Sequence, residues 1–128
     1  MFKRDLGEDK IIYQKSPTFR ISLPNNVAVG QKHCDADYNH PEGEINFWVP
    51  LTETFDSNGF YLESEPDKGD FHPFPRTLKP GDVLRFWGNK CKHYNEINTT
   101  GTQEQHITSD KLIYYPQKAK PVLVLMLE

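Results

Sequence analysis

Three residues have the types and the spacing to bind a metal ion: His33, Asp35 and His93. In an extended segment, residues separated by one position point to the same side, so His33 and Asp35 can face one ion. His93 lies further along the chain, beyond the turn sequence at 80–82. Two histidines and one carboxylate are the ligands of the facial triad of non-heme iron(II), which leaves one octahedral face open. The trio predicts an iron(II) site.

A tetrahedral zinc site is the competing interpretation, since Cys34 and Cys91 each lie close to one of the predicted ligands. In an extended segment, however, Cys34 points away from the side that His33 and Asp35 share, which makes zinc the weaker hypothesis. We expect both cysteines to be thiols. The other histidines lie in turn-like or polar stretches, so we expect loop or surface positions for His40, His72 and His106.

Short strands must position these residues. Ten prolines and eight glycines are spread over the 128 residues, which leaves little room for long helices. Apolar residues alternate with others in four runs: Phe19–Leu23, Ile45–Val49, Phe60–Leu62 and Val83–Trp87. This pattern is typical of an all-β barrel or sandwich, and the length fits a single domain.

Composition and charge argue against several classes of partner. The net charge is −3 and the basic residues form no long cluster, which argues against nucleic acid. The longest apolar run, Val122–Leu127, is far shorter than the ~20 residues of a membrane span. No apolar stretch follows the first charged residues, so no signal peptide is indicated. We expect a soluble, cytoplasmic protein that acts on a small molecule. The sequence does not determine its oligomeric state.

Three segments carry a resemblance to a known family: His33–Thr52, which includes Gly43-Glu-Ile-Asn-Phe-Trp-Val-Pro-Leu-Thr52, then Asn58–Glu65 and Gly88–Asn98. Over about residues 19–101 the chain resembles the StrG-type branch, from streptomycin biosynthesis, of the iron(II)/2-oxoglutarate-dependent dioxygenases. The resemblance implies a double-stranded β-helix, the cupin-like jelly roll, whose iron ligands are the predicted trio. It also implies hydroxylation of a small molecule, coupled to oxidative decarboxylation of 2-oxoglutarate. Related halogenases lack the carboxylate ligand, so its presence favours hydroxylation.

Glu44 and Asn46 are candidate substrate-binding residues, because they share the strand face opposite Ile45, Phe47 and Val49. A solvated strand face is the alternative for both. Aromatic residues in small barrels are more often core than pocket lining, and four remain candidates for either role: Tyr38, Trp48, Tyr61 and Trp87.

The chain departs from the family after Gly101. Family members carry an arginine after the second histidine, which pairs with the far carboxylate of 2-oxoglutarate, whereas here no arginine follows Arg85. Arg85 is the first candidate for this cofactor-binding role and Arg20 the second. A solvated charge on a strand is the alternative for each.

Residues 102–128 are therefore predicted to be a divergent tail behind a barrel core at residues 19–101, within a single domain. A changed reading frame is one hypothesis for this departure, because shifted codons at 103–110 can encode the family's usual ending. The run Val122–Leu127 then either replaces the last strand or leaves the jelly roll incomplete at its C-terminus.

The missing arginine also leaves two functional alternatives to the dioxygenase. One is a metal-binding, cupin-like protein without oxygen chemistry. The other is a catalytically inactive, truncated remnant.

Overall fold

The computed structural model describes residues 12–26, 30–73 and 77–112 of the chain. Two short 3-10 turns, Asp35–Tyr38 and Asp56–Asn58, are the helical elements within these ranges. The remaining elements are strands: β1 Ile12–Tyr13, β2 Thr18–Ser22, β3 Glu44–Pro50, β4 Thr54–Phe55, β5 Tyr61–Leu62, β6 His72–Pro73, β7 Thr77–Leu78, β8 Leu84–Phe86, β9 His93–Tyr94 and β10 Glu104–Leu112. The all-β prediction is therefore confirmed. The described residues include no helix of the length and apolar character that a membrane crossing requires.

The four predicted strands correspond to β2, β3, β5 and β8, and each end differs by at most one residue from the prediction. In β3, β5 and β8, buried apolar side chains account for the alternating pattern, whereas Phe19 and Ile21 on β2 are exposed. The longest strand, β10, was not predicted. It lies in the segment assigned to the divergent tail, where the described inward-facing residues are polar.

The largest sheet has five strands, and β10 lies at its centre. One edge of β10 pairs with β1 and β2, and its other edge pairs with β3, which pairs in turn with β8. A second sheet has the order β6-β5-β9, and β4 pairs with β7. All these pairings are antiparallel. An isolated antiparallel bridge joins His33 to His93 on β9.

The main core combines residues of strands β3, β5, β7 and β8 with two residues outside the strands. Its members are Trp48, Phe60, Leu62, Leu78, Leu84, Phe86 and Cys91. The opposite face of β3 forms a second apolar cluster, in which Ile45 and Phe47 pack with Val83 and Trp87. Strand β3 is therefore covered on both faces over much of its length, and six of its seven residues are buried.

The run Val122–Leu127 lies outside the described residues. The division into a core at 19–101 and a tail at 102–128 stays a prediction, and so does the hypothesis of a changed reading frame. Strand β10 shows, however, that the chain continues the main sheet beyond Gly101.

Candidate metal centre

The two histidines of the predicted trio are cross-strand neighbours. The amide of His33 donates to the carbonyl of His93 at 3.1 Å, and the amide of His93 donates to the carbonyl of His33 at 2.9 Å. Directly opposed residues of an antiparallel pair project their side chains to the same face. The two imidazole rings accordingly lie 4.5 Å apart between centroids.

Asp35 completes the group from the start of the first 3-10 turn. Its Oδ1 atom lies 3.4 Å from His93 Nε2 and 3.7 Å from His33 Nε2. One ligand atom from each residue lies within 4.8 Å of the others, which is compatible with a single divalent ion. The structure thus brings the three predicted ligands together, with Asp35 and His93 buried and His33 half-buried.

Both histidines have the tautomer that a metal ligand needs. His33 Nδ1 contacts the carbonyl oxygen of Gln31, and His93 Nδ1 contacts that of Cys91 at 2.9 Å. A carbonyl oxygen can only accept, so Nδ1 donates in each ring, and Nε2, which lies toward Asp35, is the nitrogen left to bind a metal ion. A hydrogen bond from the second ring nitrogen to a backbone carbonyl is the usual support of a metal-binding histidine. The residues present therefore fit a metal ion.

Asp35 is held by two neighbouring segments, through its second oxygen and its backbone amide. Asn46 Nδ2 donates to Asp35 Oδ2 at 2.8 Å, and Asn46 Oδ1 accepts from the Gly88 amide at 2.9 Å. The amide of Asp35 donates to the Gly88 carbonyl at 2.8 Å. With Oδ2 engaged by Asn46, Oδ1 is the oxygen left to bind a metal ion.

Gly88 must be glycine for this arrangement. A Cβ atom at this position would lie within 3.0 Å of both Asp35 Oδ2 and Asn46 Oδ1, closer than real Cβ contacts. The carboxylate and the amide therefore occupy the space that any larger residue would fill.

The carboxyl group of Asp35 is ionised at neutral pH. Burial alone would raise its pKa, but the hydrogen bond and charge interaction with His93 and the hydrogen bond from Asn46 outweigh that effect. The pKa of Asp35 is consequently lower than its ordinary value. The anionic form is the one that binds a divalent ion.

A second group of metal-binding types, Asp35, His40 and Glu44, shares Asp35 with the first. His40 Nδ1 lies 2.8 Å from Glu44 Oε1, and its amide donates to the Asp35 carbonyl at 3.2 Å. Glu44 is not among the described residues that line the cavity, so its predicted contact with substrate has no support in this arrangement. Neither cysteine joins a metal-competent group in the described part of the chain.

A cavity of about 530 Å³ opens beside the trio. The trio and Asn46 line one part of it, and Trp48, Phe60 and Phe86 form an apolar part of its wall. Arg20 also lines the cavity, whereas Arg85 is not among its described lining residues. Arg85 alternates with Leu84 and Phe86, whose side chains are buried in the main core, and so projects from the other face of β8. Of the two candidate arginines, Arg20 is therefore the one placed to contact a ligand in this cavity.

Two comparisons relate the chain to known proteins. It is similar to the streptomycin biosynthesis protein StrG of Streptomyces griseus, with 34% identity over 124 residues, covering 93% of the chain and 58% of StrG. The chain thus spans little more than half the length of that relative. Because the match covers 93% of the chain, it extends beyond Gly101, further than the sequence resemblance indicates. No protein-family model matches the chain.

The structure is similar to that of a non-heme monooxygenase, ThoJ, in a complex with nickel. The TM-score is 0.57 at 17% identity, over 80% of this chain and 44% of the other. A cupin domain of an XRE-family transcriptional regulator from Enterobacter cloacae aligns with a TM-score of 0.42 at 19% identity, over 84% of this chain and 98% of that domain. The chain has a cupin-like jelly-roll fold. This prediction is confirmed, and the chain is a homologue of StrG.

Two polar residues of the cavity region are not predicted by the sequence pattern. His106 was expected in a loop or on the surface, and this was wrong: it lies on β10, is 4% exposed and lines the cavity. Its partner Glu104 is fully buried. His40, also expected in a loop, is half-buried and lines the cavity near Asp35, whereas the side chain of His72 is not described. Of the four aromatic candidates, Tyr38 and Trp48 line the cavity.

Proposed function

We propose that this chain binds iron(II) through His33, Asp35 and His93 and hydroxylates a small molecule with 2-oxoglutarate as co-substrate. The observation that carries this proposal is the convergence of both Nε2 atoms on Asp35 Oδ1, at 3.4 and 3.7 Å, with both Nδ1 atoms bonded to backbone carbonyls. Two histidines and one carboxylate with an adjacent open cavity are the ligand set of non-heme iron(II) oxygenases. Bound iron(II) would supply oxygen activation coupled to decarboxylation of the co-substrate.

The chain's own residues prepare the centre in three ways. The cross-strand bridge between His33 and His93 fixes the orientation of the two imidazoles. Asn46 binds one carboxylate oxygen of Asp35, so only the other oxygen is available as a ligand. More coordination positions of a bound metal ion would then be left for the co-substrate and oxygen. The rings of Phe60 and Phe86 pack against the His93 imidazole, which makes the part of the cavity wall next to this ligand apolar.

The small-molecule substrate is supported by the similarity to StrG, whose name associates it with streptomycin biosynthesis. A cavity of about 530 Å³ is within the size range of small-ligand sites, which is about 300–1,000 Å³. The cavity combines apolar walls with a few polar groups, as such sites do. We therefore infer a biosynthetic metabolite, and not a macromolecule, as the substrate.

The test is iron-dependent formation of succinate. The full chain is loaded with iron(II) under anaerobic conditions and supplied with 2-oxoglutarate. Oxygen is then admitted, and succinate is measured by mass spectrometry. We expect succinate from the wild type, and none from the Asp35→Ala variant. Asp67→Ala removes an exposed carboxylate outside the cavity and should behave as wild type.

The two alternatives give different results in the same experiment. Stoichiometric metal binding without succinate would support a cupin-like metal protein that has no 2-oxoglutarate chemistry. Absence of metal binding in a folded protein would identify an inactive remnant. Either result would overturn the proposed activity.

A further inference from the structure

The cavity contains a second buried polar pair, on β10, which the metal centre does not use. His106 Nδ1 lies 2.9 Å from Glu104 Oε1 and 3.0 Å from Oε2. Glu104 is fully buried, and His106 is 4% exposed and lines the cavity. A carboxylate only accepts, so Nδ1 donates to it. Among the described residues no partner contacts the other ring nitrogen, Nε2, which is left to contact a ligand.

A buried donor without a partner lies next to His106. The indole ring of Trp48 packs on the His106 imidazole, with 4.8 Å between ring centroids. Trp48 is 1% exposed and lines the cavity, and its Nε1 atom has no hydrogen-bond partner among the described residues. Buried donors are nearly always paired in folded proteins, so an unpaired donor at a cavity wall is suited to contact an acceptor atom of a ligand.

Arg20 adds a positive charge beside this pair. Arg20 on β2 is the direct cross-strand partner of His106 in the β2–β10 register. Directly opposed residues share a face of the sheet, and both of these side chains line the cavity. A guanidinium group matches the geometry of a carboxylate, to which it can donate two parallel hydrogen bonds.

Glu104 is hydrogen-bonded to the His106 imidazole, its described side-chain partner, and this contact fixes the ring against the indole of Trp48. The wall presents the N–H donor of Trp48 and the guanidinium of Arg20. No carboxylate oxygen of Glu104 is left exposed to repel an anion.

We propose that Glu104, His106, Trp48 and Arg20 form a carboxylate-binding subsite in the cavity. Between the subsite and the metal trio lie aromatic rings: Phe60 is 5.8 Å from Trp48 and 5.5 Å from His93, centroid to centroid. The ligand class that fits is a short dicarboxylic acid, with one end toward the metal centre, an apolar middle and a carboxylate at the subsite. The subsite itself does not depend on the proposed function. Only the identity of its natural ligand, which would be the co-substrate, rests on that proposal.

The experiment follows the indole N–H resonance of Trp48 by ¹⁵N NMR in the full, metal-free chain. The sequence has two tryptophans, so Trp87→Phe assigns the two indole signals. The probe is glutarate, and 1,5-pentanediol is its uncharged counterpart of equal length. We expect glutarate to shift the Trp48 signal in a saturable way, with at least tenfold weaker binding of the diol.

Variants separate the subsite from general damage to the fold. Arg20→Gln changes an exposed residue and should weaken glutarate binding at least tenfold, as should Glu104→Gln and His106→Gln. Arg85→Gln is the matched control outside the cavity lining and should leave the affinity unchanged. An unshifted Trp48 signal, an equal affinity for the diol, or unchanged binding in Arg20→Gln would each overturn the subsite.

The subsite and the proposed activity can fail separately. Glutarate binding to the metal-free chain without succinate formation by the iron-loaded chain would contradict only the proposed activity. Succinate formation without glutarate binding at Trp48 would contradict only the subsite.

Discussion

Asn46 donates a hydrogen bond from Nδ2 to Asp35 Oδ2 at 2.8 Å, which connects strand β3 to the carboxylate of the metal trio. Asn46 is 3% exposed, and its other polar atom accepts from the Gly88 amide. Its amide group therefore bridges Asp35 and the turn that follows β8. Asn46 lines the cavity, as its strand face predicts, but its two polar ends already have partners in the protein. We interpret it as a positioning residue for Asp35.

Replacement of Asn46 by alanine should weaken binding of a divalent ion by about 10–100-fold, the usual effect of removing a support of a metal ligand. The reason is that Oδ2 of Asp35 loses its donor and the carboxylate becomes free to rotate. Isothermal titration calorimetry with a divalent ion measures the affinity. Asn58→Ala is the matched control, since Asn58 is also a buried amide but lies outside the cavity lining. Equal losses in both variants would point to a general structural defect.

Removal of a ligand should have a larger effect than removal of its support. We expect Asp35→Ala and His93→Ala to abolish measurable divalent binding at micromolar protein concentration, because two ligands alone do not define the site. Asp67→Ala, which changes an exposed carboxylate, should keep the wild-type affinity. Circular dichroism would show whether each variant is folded. An Asp35→Ala variant that binds the ion as tightly as wild type would rule out the assigned ligand set.

The trio could be predicted because its signals are local or chemically distinctive. His33 and Asp35 are separated by one residue, and the intervening Cys34 has extended backbone angles of φ −109° and ψ 155°, so the expected same-side arrangement arises. His93 was selected by residue type and by its position after a turn and a strand. Its direct pairing with His33 is a tertiary contact that spacing in the sequence does not reveal.

Strand β10 could not be predicted from apolar alternation, because Glu104 and His106 on its inner side are polar. Their burial is explained by their contact with each other and, for His106, by packing against Trp48 at the cavity wall. A polar strand that faces a polar cavity has no hydrophobic pattern, so apolar alternation does not predict it. The same reason applies to Glu44, whose burial depends on the contact with His40.

The two thiols should differ in reactivity. Burial, and to a smaller extent the charge of Glu63, raises the pKa of Cys91 to about 12. The pKa of Cys34 is also raised, first by burial and then by its hydrogen bond with Asp37, but Cys34 is only half-buried. The thiolate is the reactive form, and its fraction rises about tenfold per pH unit below the pKa.

At pH 8 an alkylating reagent should therefore modify Cys34 in the native protein and leave Cys91 unmodified until the chain is unfolded by urea. Mass spectrometry counts the added groups. Cys34→Ser should show no modification in the native state. Rapid labelling of both thiols under native conditions would contradict the burial of Cys91.

Gly88 offers the sharpest test of the geometry around Asp35. Its amide donates to Asn46 and its carbonyl accepts from the amide of Asp35, while a Cβ atom would overlap the polar atoms of both side chains. Gly88→Ala must therefore displace the carboxylate, the amide or the backbone of the turn. We expect at least a tenfold loss of divalent affinity together with a lower Tm, since overpacking typically costs about 1–3 kcal/mol.

The matched control for this substitution is Gly69→Ala. Gly69 has a φ of +69°, and nothing lies within 4 Å of an added Cβ atom, so this variant incurs backbone strain but no overlap. It should lower the free energy of unfolding by about 1 kcal/mol and leave metal affinity unchanged. In the Gly88→Ala background, Asn46→Ala removes one of the two overlaps, and so it should restore part of the lost Tm without restoring affinity. If Gly88→Ala instead bound the metal as tightly as wild type, Asp35 would not be the carboxylate that the Gly88 turn holds in place.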